Sequence, residues 1–196
     1  VQNFLNVSDA ALGLTLSTCV AVNDFEDPTP DPAAYPILQP ILLASRRSCH
    51  GQGNWYLQEG DHHYVFSLTS HAPGWRNGYK AAIQANVGLF PIVRISAAGR
   101  TDLPAERSFV ALSASNVLIS AIKKAEDDDS IILRCYDIEG RDARVEMSFF
   151  APIAKAVQTN IIEDEAKPLL VKKSGFNLTI GHQAIETVKL FPALRK

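Results

Sequence analysis

The sequence is short of the features that mark several functional classes. Only three of its 196 residues are cysteine, Cys19, Cys49 and Cys135. That number and spacing make no disulfide framework, and an odd count leaves at least one thiol free, so buried structural thiols are expected. Basic charge is not in excess: 19 Lys and Arg stand against 21 Asp and Glu, for a formal charge of −2 and a pI near 6.2. Such a balance offers no broad positive field to nucleic acid or an anionic membrane. No apolar run reaches the ~18–20 residues that cross a bilayer, and the start of the chain lacks the basic-then-apolar pattern of a leader. The chain as given reads as soluble, with no visible address. What it does have is hydrophobic content, 46% with a mean hydropathy near zero, enough for a sizeable core in one large domain or two small ones.

The apolar residues are arranged mostly with a period of two, the signature of strands. Between Ser115 and Gly140 (SNVLISAIKKAEDDDSIILRCYDIEG), Val117, Ile119 and Ala121 alternate with Leu118, Ser120 and Ile122. After an acidic break, Ile131, Leu133 and Cys135 alternate with Ile132, Arg134 and Tyr136. Glu126 to Ser130 cannot bury without losing hydration, so they are expected at a solvated hairpin tip. The run lacks the spaced ligands of a calcium loop. Asp142 to Phe149 alternates without error, Ala143, Val145, Met147 and Phe149 against Asp142, Arg144, Glu146 and Ser148, and predicts a strand with one core face and one wet face. Further strands are expected over Ala154–Glu165, Phe176–Ile180 and Ala184–Phe191, with Gly175 and Gly181 in turns.

In the first half, Val1 to Thr18 predicts a lead strand and a second strand around Leu12–Thr18, with Gly13 at a bulge or a close backbone approach. Asp24 to Pro40 carries five prolines and reads as a surface loop. Ile41 to Ser48 predicts a strand. Gly78 to Val87 is the one helix expected, with Tyr79, Ile83 and Asn86 or Val87 on one stripe. The apolar pattern lapses around Gly99–Glu106, where the boundary is placed. The expectation is an all-β, antiparallel β-sandwich fold in two parts, 1–103 and 104–196, with one short helix.

Asp61 to His71 (DHHYVFSLTSH) is the one stretch that resembles a metal site in composition, with Asp61, His62, His63 and His71 offering ligands that zinc accepts. Geometry argues against it. On a strand His62 and His63 point to opposite faces, while His63 and His71 are eight residues apart at ~3.3 Å each, too far to share an ion unless the strand bends. The triplets Asn6-Val7-Ser8 and Asn177-Leu178-Thr179 fit the glycosylation pattern, which recurs by chance and carries little weight.

The hairpin Ser115–Gly140 resembles a stretch near the C-terminus of the family 38 glycoside hydrolases, the α-mannosidases. Weaker likenesses to the same family follow in the right order: VQNFLNVSDAALGLTLST, ILLASRRS, HYVFSLTSHAPGW with His71, Ala72, Gly74 and Trp75, GYKAAIQANV, IIEDE, and LTIGHQAIETVKLF. The resemblance covers Ser108–Phe191 with fair specificity and Val1–Pro91 with less. It implies part of a large β-supersandwich followed by a smaller C-terminal sandwich, with the catalytic carboxylates and a zinc on an N-terminal domain that is this chain's partner. No cofactor and no catalytic or metal residue is therefore assigned here. The candidates for a cleft or an interface are Arg46, Arg47, His71, Trp75, Trp55 and Tyr79, and the activity, hydrolysis of α-linked mannose, belongs to the longer parent. Two other readings stand beside it: a carbohydrate-binding sandwich using Trp55, Tyr56, Trp75 and Tyr79 as stacking platforms, and an independent enzyme built on Asp61 and the three histidines.

Overall fold

The computed structural model describes residues 3–18, 23–24, 30–31, 38–40, 42–43, 45–47, 51–93, 104–164 and 167–193. The chain divides into two compact units, Val1–Ala97 and Ala98–Lys196. The expected thiols Cys19 and Cys49, most of the proline-rich run and residues 99–103 of the expected boundary lie outside the described residues.

In the first unit, β1 (Phe4–Ser8) and β2 (Gly13–Ser17) form a hairpin, and after β3 (Asn23–Asp24), β4 (Gln39–Pro40), β5 (Arg46–Arg47) and β6 (Trp55–Tyr56) comes β7 (Ser67–His71). β2 is the middle strand of an antiparallel sheet ordered β1-β2-β7, while β3 pairs β4 and β5 pairs β6 in short ribbons. The turn between β1 and β2 is fixed by Asp9, whose Oδ1 accepts the N–H of Ala11 at 2.7 Å and of Leu12 at 2.8 Å. Those donors hold its pKa below the usual carboxylate value. A 3₁₀ turn, Trp75–Asn77, leads into helix α1, Tyr79–Asn86, entered through Gly74 at φ +93°, a backbone region that glycine adopts without penalty. The helix buries Tyr79 and Ala82 against the sheet.

Register shows that the sheet is polarised in an unusual sense. Partners across the β1-β2-β7 ladders share a face, so Asn6, Thr15 and Thr69 form one row and Ser17 and Ser67 sit side by side in the next. On β2 it is this polar set, Gly13, Thr15 and Ser17, that is buried. The opposite face carries Leu5, Leu16 and Leu68 in one row and Val7 and Leu14 in another, and Leu68 is 67% exposed.

The second unit is a two-layer antiparallel sandwich. Its strands are β8 (Val110–Leu112), β9 (Val117–Lys124), β10 (Ile131–Asp137), β11 (Ala143–Phe149), β12 (Ile153–Thr159), β13 (Lys167–Leu169), β14 (Val171–Lys172), β15 (Gly175–Ile180) and β16 (Ile185–Pro192). They form sheets ordered β13-β12-β16-β10-β9 and β14-β15-β11-β8. Leu133, Cys135, Ile153, Ala156, Val188 and Leu190 from the first meet Val145, Met147, Phe149, Phe176, Leu178 and Ile180 from the second in one core. The alternation of β11 is perfect, as its sequence requires.

Several expectations need correction. The strand expected from Asp61 begins only at Ser67: β2 ends at Ser17, opposite Ser67, so among the described residues the ladder runs out there. The helix buries Tyr79 and Ala82 with Ile83 and Asn86 half-buried, so of the two ends offered for the stripe it is Asn86 that belongs to it, while Val87 has left the helix for extended backbone. The strand expected over Ala154–Glu165 stops at Thr159, where the Asn160 side-chain oxygen takes the N–H groups of Ile162 and Asp164 and turns the chain. In the hairpin, a bulge at Arg134/Cys135 pairs Cys135 with Ile119 but Arg134 with Ala121. Val117, Ile119 and Ala121 therefore do not share one face, because a bulge shifts the pleat. At its tip Glu126 to Asp129 are exposed but Ser130 is buried, its N–H and hydroxyl both donated to Asp128 Oδ1.

Candidate functional site

The sequence candidates of the first unit fall into three places. His71, the last residue of β7, is held from both sides of its ring. Nδ1 lies 2.7 Å from the Ala72 carbonyl oxygen and donates to it. That leaves Nε2 as the acceptor for the Thr15 hydroxyl at 2.8 Å and the Asn6 amide at 3.0 Å. The imidazole occupies a slot between two glycines: a Cβ at Gly13 or at Gly78 would overlap its ring atoms. Gly13 is thus a close approach, of a side chain rather than of backbone. The two protons of the Asn6 amide are shared among His71 Nε2, Thr15 Oγ1 and the Leu14 carbonyl, so the first glycosylation triplet has its nitrogen committed inside the fold. His71 reads as a fastener between the sheet and the turn that leads to the helix.

Trp75 and Tyr79 form a tilted ring pair 5.9 Å apart, with the Arg76 guanidinium over Trp75. Tyr79 is only 4% exposed and belongs to the packing of the helix, so it offers no face to a partner or a sugar. Arg47 and Trp55 are cross-strand neighbours in the β5–β6 ribbon, the guanidinium 5.4 Å from the indole centre and its Nε donating to the Gly53 carbonyl. Arg46 pairs with Tyr56 in the same ribbon. Trp55 and Tyr56 are both well exposed.

The histidines of the Asp61–His71 stretch are not brought together. His62 Nε2 lies 3.1 Å from the Gln58 carbonyl oxygen, and its ring stacks on Tyr64, His71 is in its slot, and His63 faces a separate cavity of about 280 Å³. Among the described residues no group of three His, Cys, Asp or Glu is placed to hold a metal. That cavity was missed from sequence. Ser17 and Ser67 form part of its lining, Ala85 and Asn86 of α1 another, and His63 to Val65 the rest. The signal was the polar inner face of β2, which a search for charged and aromatic residues passes over.

In the second unit the most connected polar group is the Asp137 carboxylate. Oδ1 accepts the Asn116 amide at 2.8 Å and the Glu139 N–H at 3.0 Å, and Oδ2 the N–H groups of Arg141 at 3.0 Å and Gln183 at 2.9 Å. Burial raises its pKa, but the four donors outweigh that effect and hold it far below the ordinary value. It ties the β10–β11 turn to the β15–β16 turn. At the hairpin tip, Lys123 reaches Glu163 at 2.8 Å and Lys189 reaches Asp128 at 3.0 Å. Cys135 is fully buried, and its thiol is pushed up to about 12 by burial first and the nearby Glu186 second. These groups are braces. None of them faces a cleft with a paired acid and base. Among the described residues, no helix is long and apolar enough to cross a membrane.

Residues 116–188 match the family model for the glycosyl hydrolases family 38 C-terminal beta sandwich domain. The structure is similar to the crystal structure of an alpha-mannosidase from Enterococcus faecalis, with a TM-score of 0.58 and 15% identity over 97% of this chain, which shows a shared fold. The chain spans only 21% of the length of that mannosidase. Comparison with curated protein sequences gives no match. Matched residues, sandwich topology and core therefore agree in the second unit, where residues 116–188 form a sandwich that matches the family 38 C-terminal domain.

Proposed function

We propose that the chain is a non-catalytic portion of a longer α-mannosidase-like glycoside hydrolase, packed against the catalytic portion and supporting its substrate cleft. The observation that carries the reading is the family match over 116–188 in a chain that spans a fifth of its structural neighbour. Hydrolysis of α-mannosidic bonds needs two carboxylates across the scissile bond, one of them a general acid. We assign that chemistry to the rest of the parent. The zinc that the resemblance implies belongs to that catalytic portion, and no residue here is assigned to it.

The first unit supports this reading through its surface. On the face of the β1-β2-β7 sheet opposite the helix Leu5 is buried and Val7, Leu14 and Leu16 are half-buried while Leu68 is exposed, and the segment after the helix exposes Leu89, Phe90, Ile92 and Val93 almost completely. Apolar area of this kind is normally covered by another layer. Trp55, with Arg47 against its ring, is the candidate at the edge of the contact.

The test is α-mannosidase activity on an aryl α-mannoside, with the remainder of the parent expressed alone or together with this chain. The chain alone is expected to be inactive and to restore activity or stability to the remainder, and Leu68→Asp or Phe90→Asp is expected to weaken that effect while the chain stays folded. Turnover by the isolated chain would sink the proposal, as would a remainder that is fully active and indifferent to its presence.

A further inference from the structure

The polar face beneath the helix calls for a different explanation from the apolar face opposite. Burying serines and threonines against a helix contributes little to stability, and a buried hydroxyl without a partner costs on the order of 1–3 kcal/mol. The Ser17 side chain is in that position: the residue is 1% exposed and its Oγ has no hydrogen-bond partner. It lines the 280 Å³ cavity. Ser67, directly opposite on β7, places a second hydroxyl beside it on the same face. Asn86 closes the far side; its amide nitrogen donates to the Asn3 carbonyl at 2.5 Å, which leaves the side-chain oxygen for another donor.

The chemistry of the lining selects a ligand class. Two hydroxyls and an amide oxygen are neutral groups that exchange hydrogen bonds with hydroxyls. Among the described lining residues there is no carboxylate, ammonium or guanidinium, and His63 adds an imidazole. Tyr64, beside His63, supplies an aromatic surface of the kind that accepts the C–H face of a ring. The volume lies at the lower edge of the ~300–1,000 Å³ usual for small-molecule sites, which gives room for a single ring but not for a dinucleotide or an oligosaccharide. The Ser17 hydroxyl is closed to solvent as it stands, so its contact with a ligand requires rotation about the Cα–Cβ bond to another staggered position.

We propose that this cavity is a binding site for a neutral polyhydroxylated ring of monosaccharide size, held by Ser17, Ser67 and Asn86 and stacked on Tyr64. Neither the exposed Trp55 nor the half-buried Trp75 is among its lining residues. It does not depend on the module reading, because it would bind in the isolated chain.

The experiment is saturation-transfer NMR with the full 196-residue chain, titrating D-mannose, D-glucose and myo-inositol, with glucuronate and glucosamine as charged counterparts. At least one neutral ring is expected to bind in the millimolar range and to be preferred over the charged pair. Ser17→Ala and Asn86→Ala are each expected to weaken it about three- to tenfold, the range carried by one hydrogen bond. Tyr64 lies outside any strand, so Tyr64→Ala provides a variant that leaves the ladders intact, and it is expected to abolish the signal with an unchanged circular dichroism spectrum. No transfer at tens of millimolar sugar would overturn the proposal. So would binding that is indifferent to all three substitutions, or equal binding of the charged rings. Failure here would leave the trans-complementation result untouched, and the reverse also holds.

Discussion

Gly78→Ala is a substitution for which two physical effects predict opposite signs. Gly78 stands at the entry of the helix with φ −106° and ψ −24°, a conformation that alanine adopts freely. On backbone entropy alone the change should stabilise by about 0.4–1 kcal/mol. The added Cβ, however, falls on the His71 ring and the Thr15 hydroxyl, which are bonded to each other. Overpacking of this kind costs about 1–3 kcal/mol, and separating His71 from Thr15 and Asn6 forfeits two hydrogen bonds at about 0.5–1.5 kcal/mol each. The net expectation is a loss of roughly 1–5.5 kcal/mol. For a unit of this size that lowers the thermal midpoint by at least ~4 °C. Differential scanning calorimetry of the two proteins reads it directly. His71→Ala in the Gly78→Ala background removes the ring and leaves the Thr15 hydroxyl as the remaining overlap, so the double variant is expected to lose less than the sum of the singles, a coupling expected of residues in contact. A Gly78→Ala protein as stable as the parent or more so, or strictly additive effects, would refute the slot.

Met147→Ala opens a cavity in the fully buried centre of the second unit and is expected to cost about 2–5 kcal/mol by urea denaturation, whereas Glu146→Ala, next to it on the wet face, should stay within the error of the method. Asp128 is held down to about 2 by the Ser130 hydroxyl and N–H and then by Lys189, and Asp137 lies lower still. Both pKa values are depressed on folding, so their contribution is complete above the unfolded value of 3.8 and is lost as pH falls toward the folded values. The urea midpoint of the second unit should decline steeply from pH ~4 to ~2, less steeply in Asp128→Asn; an unchanged slope in that variant would contradict the assignment. Cys135 should resist iodoacetamide at pH 8 in the native chain and react on unfolding, read peptide by peptide by mass spectrometry, since a buried thiol has almost no thiolate at that pH.

Period-two patterning was enough to read the sandwich where strands pair along their full length with one face in the core. β11 is the clearest case, every inward residue apolar and every outward one polar. The same rule failed in β9, because a bulge shifts the pleat and no residue type there announces it. It failed before Ser67 as well, since a strand-like sequence forms a strand only where a partner continues. The sites were less legible. His71 and Trp75 draw the eye as side chains, yet what His71 does depends on Gly13 and Gly78, whose role is to leave space. Ser17 and Ser67 lie fifty residues apart in sequence and become a pair only through the β2–β7 register. The Asp137 brace was hidden for the same reason, with most of its donors on backbone nitrogens that composition does not reveal.

The most direct measurement of the central claim is the mass of the native gene product, taken by intact-protein mass spectrometry on material purified from its source through peptides of this chain. A polypeptide several times larger than 21.4 kDa, in which these residues follow a catalytic portion that turns over an α-mannoside, is the predicted result. A native protein near 21.4 kDa would contradict the account, because there would then be no catalytic portion for this sandwich to support.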